Sequence, residues 1–174
     1  MQGNINNIFL IGPMGSGKST VGRKLAKELN YIFYDTDQEI EKSMGVDISW
    51  ILDIEGEEGL RKRELNLITN LIDHNNIILA TGGNCVDHPL IRDKLNNHGF
   101  VIHLDISINE QKNRTDKDTK RPWLKDKPNL IETLNKYSEQ YSELYKSISD
   151  LTIKTDNKPI REIINEIINT IEKQ

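Results

Sequence analysis

Several features that mark whole classes of protein are scarce in this sequence. It has one cysteine, Cys85, so an internal disulfide is impossible and a reducing compartment fits. No apolar run approaches the roughly 20 residues that cross a bilayer. No basic stretch precedes the first apolar segment, so we expect no signal peptide. These absences predict a cytoplasmic protein with no membrane partner.

A basic excess is missing as well. The chain carries 27 Asp and Glu against 23 Lys and Arg, a formal net charge of -4. Proteins that bind nucleic acid usually present a basic face, so we expect no nucleic-acid partner. The four histidines show no metal-ligand spacing. A length of 174 residues predicts one domain, 1–174.

Short apolar segments alternate with longer amphipathic ones, a pattern typical of an α/β domain around a parallel sheet. The predicted strands are unbroken apolar runs, as in strands buried on both faces: 7–12, 31–34, 77–80, 100–106 and 151–155. The predicted helices are 18–29, 37–44, 57–73, 88–97, 107–114, 128–148 and 159–172. A charged, proline-containing stretch without apolar period predicts a mobile lid over 115–127.

The stretch GPMGSGKST, residues 12–20, matches the phosphate-loop pattern G-x-x-x-x-G-K-[ST] in full. A predicted strand precedes it and a predicted helix follows it, which is the context that this motif requires. Its glycines allow several N–H groups to face one anion, and the helix start adds positive charge. The predicted nucleotide-binding residues of this loop are Gly15, Ser16, Gly17, Lys18, Ser19 and Thr20.

Two aspartates, Asp35 and Asp37, follow the second predicted strand in the stretch YDTDQEIE. Ligands of open parallel sheets bind at this edge. One carboxylate can hold Mg²⁺ through water, and the other can accept a hydrogen bond from a hydroxyl under attack. The alternative is helix capping, because Thr36 and Glu39 have the spacing of a capping box.

The sequence resembles the shikimate kinase family in the order and spacing of five stretches. They are the phosphate loop, YDTDQEIE, EGEEGLRKRE, LATGGN and RTDKDTKRPWL. The resemblance runs nearly end to end. It implies a P-loop kinase fold with a five-stranded parallel sheet of order 2-3-1-4-5 and helices on both faces. It also implies ATP-dependent, Mg²⁺-requiring phosphorylation of a hydroxyl of shikimate, in aromatic amino acid biosynthesis, by a monomer.

On the acceptor side, the resemblance implies that Asp37 binds the shikimate hydroxyls and orients or deprotonates the acceptor. Arg61 would pair with the substrate carboxylate, and Glu64, three residues further along one helix, would brace it. Gly82 and Gly83 would bring their backbone close to the substrate.

On the nucleotide side, the resemblance places Ser19 and Asp35 at the Mg²⁺ ion. Arg114 would lie near the adenine, and Arg121 would fold from the lid onto the phosphates. The residues 154–157 would form part of the adenine-binding loop. The catalytic residues implied are Lys18, Asp37 and Arg121.

Four residues depart from the family pattern, all on the acceptor side. Asn84 stands where a third glycine is usual. Asparagine tolerates a positive φ best among non-glycine residues, so the turn can survive, and its amide could add a new contact. Leu52 and Leu60 replace phenylalanines and keep an apolar wall. Tyr141 replaces a second arginine; it lies in an apolar helix stripe, which favours core packing over contact with the acceptor.

Other aromatic or reactive side chains are interpreted as core. His103 lies inside a predicted buried strand and is expected to have its hydrogen bonds satisfied. Trp50, Tyr137 and Tyr145 are expected to pack in the interior, and Cys85 is expected to be a small buried residue and not a nucleophile.

Two other functions remain open from the sequence. One is a P-loop kinase for a related hydroxy acid such as gluconate, or for a nucleoside monophosphate. The other is a nucleotide-binding protein without kinase activity. Arg61 favours an acid over a nucleotide as acceptor, and the presence of Lys18, Asp35, Asp37 and Arg121 argues against a protein that only binds.

Overall fold

The five apolar segments form one parallel sheet of order β2-β3-β1-β4-β5 in a computed structural model of the chain, which describes residues 5–117 and 129–173. The strands are β1 (Asn7–Ile11), β2 (Ile32–Asp35), β3 (Ile77–Ala80), β4 (Phe100–Asp105) and β5 (Leu151–Lys154). The predicted order 2-3-1-4-5 is confirmed.

The helices of the described residues flank this sheet. They are α1 (Lys18–Leu29), α2 (Thr36–Met44), α3 (Ile48–Leu71), α4 (Pro89–His98), α5 (Ile108–Lys117), α6 (Leu130–Ile148) and α7 (Ile160–Ile171), with a 3₁₀ turn at Cys85–Asp87. Most bounds fall within a few residues of the predicted ones. The first residues of the predicted lid, 115–117, belong to α5, and 118–127 lie outside the described residues.

Each face of the sheet carries its own core because alternate residues of a strand point to opposite faces. Phe9 and Ile11 of β1 pack with residues of α3, α4 and α6. Ile8 and Leu10 pack with α1 and α7. Both faces are therefore covered, which explains why the strands are apolar throughout.

A third, small cluster lies beside the sheet, where α2 meets α3. Ile40, Ile48, Ile51 and Leu60 are buried there, and Leu52 packs against them. The leucines at the two positions expected to form an apolar wall are thus in one cluster. Trp50 was predicted to pack in the core, but its side chain is 46% exposed, so this prediction is wrong.

The helix α3 begins nine residues earlier than the sequence predicts, at Ile48. Asp47 caps it by accepting a hydrogen bond from the Trp50 N–H at 2.9 Å. The helix is broken at Gly56, whose backbone has φ 69° and ψ -175°. Residues 48–55 and 57–71 are therefore two helical segments, and the predicted start at 57 marks the second.

Parallel pairing aligns the carboxyl ends of β1, β2 and β3. Ala80 pairs in register with Leu10 on one side and with Asp35 on the other. The loop after β1, the aspartates after β2 and the glycines after β3 consequently meet at one edge. Among the described residues, no helix is both long and apolar enough to cross a membrane.

Candidate active site

The phosphate loop joins β1 to α1 in a backbone conformation that only its glycines permit. Gly12, Gly15 and Gly17 have φ of 138°, 78° and 97°. Gly17 is the N-cap of α1, and no side chain of the described residues caps that helix. The N–H groups of its first turn thus face the loop interior and suit an anion.

Lys18 lies over the loop. Its Nζ donates hydrogen bonds to the carbonyl of Gly12 at 2.6 Å and to that of Pro13 at 2.9 Å, and the residue is 8% exposed. These contacts hold the ammonium group beside the place where the loop N–H groups converge. A phosphate bound there would meet a positive charge already in position.

Ser19 and Asp35, the pair expected at Mg²⁺, are in contact. The Ser19 hydroxyl donates to Asp35 Oδ2 at 2.5 Å. Hydroxyl and carboxylate oxygens are ligands that Mg²⁺ accepts, and this ion needs few protein ligands because it keeps several waters. The residues therefore fit the ion, and no larger group of three potential metal-binding side chains occurs in the described part of the chain.

Helix capping at α2 differs from the expected capping box. The N-cap is Asp35, whose Oδ1 accepts from the Gln38 N–H at 3.3 Å. Thr36 is buried, and its hydroxyl has no partner among the described residues. One carboxylate thus serves as cap through one oxygen and contacts Ser19 through the other, so capping and an ion site are compatible.

Asp37 lies in the first turn of α2, against the glycine turn that follows β3. A Cβ added to Gly82 would lie 3.3 Å from Asp37 Oδ1 and would collide with Glu64 Oε1. A side chain at this position would have to displace the Glu64 carboxylate. Asp37 and Gly83 also line the same cavity as the phosphate loop, whereas the predicted acceptor residues Arg61 and Gly82 do not line it.

Arg61 and Glu64 form a buried ion pair on the second segment of α3. Arg61 Nη1 donates to Glu64 Oε2 at 2.6 Å, and the two side chains are 13% and 1% exposed. Burial raises the pKa of Glu64; Arg61 lowers it in part, and the Asp37 carboxylate raises it again. The expected bracing of Arg61 by Glu64 is confirmed.

Arg114 connects three parts of the nucleotide side. Its guanidinium donates to the carbonyl of Gly15 at 3.1 Å and to that of Thr155 at 2.9 Å, and its Nε pairs with Glu110 at 2.9 Å. Thr155 belongs to the segment predicted to form the adenine-binding loop. Arg114 therefore holds that segment and the phosphate loop together. Arg121 lies outside the described residues.

A cavity of about 520 Å³ lies at this edge of the sheet. It is lined by the loop residues Gly15–Val21 and by Asp35, Asp37, Thr81, Gly83 and Arg114. Lys117 and Lys158 also line it, and sequence reasoning did not single them out. The only available signals were the basic excess around Lys117 and the position of Lys158 directly after 154–157.

Asn84 has φ -98°, so the turn does not use the positive φ that asparagine tolerates. His103 is buried as expected, but its Nδ1 has no hydrogen-bond partner among the described residues, so it is not satisfied.

Burial raises the pKa of Cys85 to about 12, and a thiol that stays protonated is no nucleophile.

Tyr141 and Tyr145 are both buried, at 4% exposed each, in the core between α6 and the sheet. Tyr141 lies 6.0 Å from the ring of Tyr137 and 6.5 Å from that of Tyr145, as core packing predicts. The Tyr145 hydroxyl, in contrast, donates to the Gly83 carbonyl. Sequence reasoning assigned Tyr145 to the core alone and missed this bond.

The sheet order, the phosphate loop after β1 and the carboxylates at the neighbouring strand ends define a P-loop kinase that acts on a small molecule. A family model described as shikimate kinase matches residues 14–172. The chain belongs to the shikimate kinase family, and the family prediction is confirmed.

Individual relatives agree with this assignment. Shikimate kinase 1 of Erwinia tasmaniensis is 46% identical over 167 residues, which cover 96% of this chain and 96% of the relative. A shikimate kinase from Acinetobacter baumannii, solved in complex with shikimate, has a TM-score of 0.92 and 36% identity, covering 97% of this chain and 93% of that chain.

The fold extends to kinases of other acceptors. A gluconokinase from Sinorhizobium meliloti has a TM-score of 0.61 and 18% identity, covering 97% of this chain and 92% of that chain. At this identity the likeness concerns the fold alone.

Proposed function

We propose that this chain transfers the γ-phosphoryl group of ATP to a hydroxyl of shikimate. One observation carries the proposal: Asp37 and the backbone of Gly83 line the same cavity as Lys18 and Ser19. Gly82, which Asp37 and Glu64 flank, is the neighbour of Gly83, and Glu64 holds Arg61. A nucleotide site and an acceptor site are thus contiguous in a chain of this family.

The nucleotide side binds the triphosphate by charge and by backbone donors. N–H groups of the phosphate loop and of the first turn of α1 would donate to a phosphate, and Lys18 would exchange its loop carbonyls for phosphate oxygens. Arg114 stabilises the loop through Gly15. We propose that Arg121 adds a further positive charge at the γ-phosphate. Positioning and charge neutralisation are the main contributions that a protein makes to phosphoryl transfer.

The transfer itself is a displacement at phosphorus. The acceptor oxygen forms a bond to the γ-phosphorus, the bond from that phosphorus to the β–γ bridging oxygen breaks, and ADP leaves with the electron pair. The proton of the acceptor hydroxyl passes to the Asp37 carboxylate, which lies at Gly82 beside the loop.

Ser19 and Asp35 would hold Mg²⁺, and the ion would supply positive charge that neutralises the phosphate groups. The 2.5 Å contact between these two side chains supports this assignment because it already places both oxygens at one point. Loss of either oxygen would weaken the use of ATP without touching the acceptor.

Arg61 supplies the recognition of an acid. Its Nη1 is engaged by Glu64, which fixes the orientation of the planar guanidinium. A substrate carboxylate would then pair with the remaining donors. This arrangement favours an acidic acceptor over a nucleoside monophosphate, and family membership favours shikimate over gluconate. The proposal includes a cytoplasmic monomer, and the net charge of -4 argues against a nucleic-acid partner.

The release of ADP, measured with shikimate present and absent, tests the function. We expect ADP release that depends on shikimate and that gluconate does not replace. Turnover with gluconate in place of shikimate would favour the related hydroxy-acid kinase. Binding of ATP without turnover on either acceptor would support a nucleotide-binding protein without kinase activity.

The role of Asp37 is tested by Asp37→Asn. Because the amide cannot accept the hydroxyl proton, kcat is expected to fall by about 100-fold or more, while ATP binding stays within about twofold of the wild type. Asp47→Asn is the matched control: Asp47 is an exposed cap of α3, and asparagine caps equally well. If Asp37→Asn retains most of its turnover, Asp37 is not the base.

A further inference from the structure

The phenol of Tyr145 connects α6 to the glycine turn of the acceptor site. Tyr145 is 4% exposed, and its hydroxyl donates to the carbonyl of Gly83, 62 residues earlier in the chain. A tyrosine that served only to fill the core would not need this donor, since phenylalanine would fill the same volume.

The ring of Tyr145 is fixed on a second side by His103 of β4. The two rings stack with centroids 5.0 Å apart and planes inclined by 20°. Burial lowers the pKa of His103 to about 4, so the imidazole is neutral at physiological pH and the stack carries no charge. The phenol oxygen is therefore held at a set position relative to the sheet.

Gly83 touches the phosphate loop as well as the acceptor residues. A Cβ added to Gly83 would lie 3.2 Å from the Met14 nitrogen. Its neighbour Gly82 lies between the carboxylates of Asp37 and Glu64. A shift of this turn would change the spacing between the acceptor groups and the phosphate loop.

A small cavity lies between α6 and Asn84, the residue that follows the turn. It measures about 60 Å³, and Pro13, Met14, His103 and Tyr145 also line it. This unfilled space gives Asn84 fewer packing contacts than a filled core would. The hydrogen bond from Tyr145 is a directional restraint on Gly83 from the same side.

We propose that Tyr145 is a positioning residue for the acceptor: its bond to Gly83 fixes the backbone of Gly82 and Gly83 at the distance from the phosphate loop that the transfer requires. The proposal rests on the proposed function for its kinetic consequence. Tyr145 does not line the cavity that contains the phosphate loop and Asp37, so its effect on the site would pass through the turn. The expected signature is a change in the use of the acceptor with little change in the use of ATP.

The variant Tyr145→Phe keeps the ring stack and removes the hydroxyl. We expect the KM for shikimate to rise by about three- to tenfold, the range of one neutral hydrogen bond, while the KM for ATP stays within about twofold. The matched control is Tyr31→Phe, which removes a phenol-to-carbonyl bond of the same kind, from Tyr31 to Ile5 at 2.7 Å, away from the site. Its two KM values are expected to equal those of the wild type.

Amide hydrogen exchange separates this inference from the function on which it rests. The amides of Thr81 and Cys85 flank the turn and donate to the carbonyls of Leu10 and Gly82. In Tyr145→Phe they should exchange several-fold faster than in the wild type and in Tyr31→Phe, whatever the acceptor is. Unchanged exchange there overturns the positioning role, and so does an equal rise of both KM values. Faster exchange in a protein that does not turn over shikimate would support the restraint and refute the proposed function.

Discussion

At the residue scale, the acceptor site depends on a balance of charge around Gly82. The carboxylates of Asp37 and Glu64 both approach this glycine, and burial raises the pKa of Glu64. Arg61 supplies the compensating positive charge at 2.6 Å from Glu64. A carboxylate of the substrate can join this group because Arg61 is a fixed, always charged donor with five N–H groups.

Tyr141 provides a test of core packing against contact with the acceptor. Its hydroxyl makes no hydrogen bond with any described residue. We expect Tyr141→Phe to change the free energy of unfolding by less than about 0.5 kcal/mol in urea denaturation, and to leave the KM for shikimate within about twofold. A several-fold rise in this KM would instead place the phenol on the substrate, as the family's arginine position suggests.

The residues of the site differ in how far the sequence could predict them. Lys18, Ser19 and Asp35 belong to short motifs at strand ends, so local patterns were sufficient. The bond from Tyr145 to Gly83 and that from Arg114 to Gly15 join residues 62 and 99 positions apart. Only the folded topology brings such pairs together, and no local pattern signals them.

At the scale of elements, α3 carries the acceptor arginine on a helix interrupted at Gly56. The first segment packs in the small cluster with α2 through Ile48 and Ile51. The second segment carries Arg61 and packs on the sheet through Ile68. Leu60 of the second segment also lies in the small cluster, so the chain after the break at Gly56 contributes to both clusters.

The variant Gly56→Ala tests whether the backbone at this break requires glycine. Its φ and ψ lie in a region that is essentially glycine-only, so we expect a loss of about 2 kcal/mol in the free energy of unfolding. Gly45→Ala is the control: its φ of 71° and ψ of 14° are left-handed helical, with an expected loss of about 1 kcal/mol.

Neither added methyl group would meet an atom within 4 Å, so the comparison isolates the backbone. Urea denaturation of both variants gives the two losses. Equal stability of Gly56→Ala and the wild type would show that the break can relax to a continuous helix.

The sequence predicted the fold well where burial alone determines the type of an element. Strands buried on both faces are unbroken apolar runs, and their number and order are confirmed. The first segment of α3 was missed because Gly56 and the charged residues around it interrupt the apolar period. Trp50 was misplaced because an apolar residue type does not reveal which face of a helix it occupies.

At the scale of the whole molecule, a residue of β4, His103, affects both the stability of the fold and the position of Tyr145 beside the site. His103 is buried in the middle of the sheet with its Nδ1 unpartnered among the described residues, and it stacks on Tyr145. Burial lowers its pKa to about 4; Asp105 raises it in part, and Lys18 and Lys146 lower it further. Folding therefore requires the neutral ring.

This requirement predicts acid sensitivity. The unfolded chain takes up a proton at His103 below about pH 6.5, whereas the folded chain does so only near pH 4. The stability due to the neutral ring is complete above about pH 6.5 and is lost as the pH falls towards 4, by at most about 3 kcal/mol. Burial of Glu64 acts in the opposite direction, since its raised pKa favours folding at low pH.

The variant His103→Phe isolates the histidine because it keeps a ring against Tyr145 and leaves Glu64 unchanged. We expect the free energy of unfolding of the wild type to fall more steeply than that of the variant between pH 6.5 and 4.5, in urea denaturation at a series of pH values. Parallel curves for the two proteins would remove His103 from the acid response.

The central claim concerns the destination of the γ-phosphoryl group. The chain belongs to the shikimate kinase family, and Asp37 and Gly83 line one cavity with Lys18 and Ser19; we therefore expect an alcohol, and not water, to receive it. ³¹P NMR of a mixture of the protein, ATP, Mg²⁺ and shikimate follows that group directly. We predict loss of the γ-phosphate signal and growth of one phosphate-monoester signal in equal amount. Growth of inorganic phosphate in its place, or an unchanged ATP spectrum, would contradict the account.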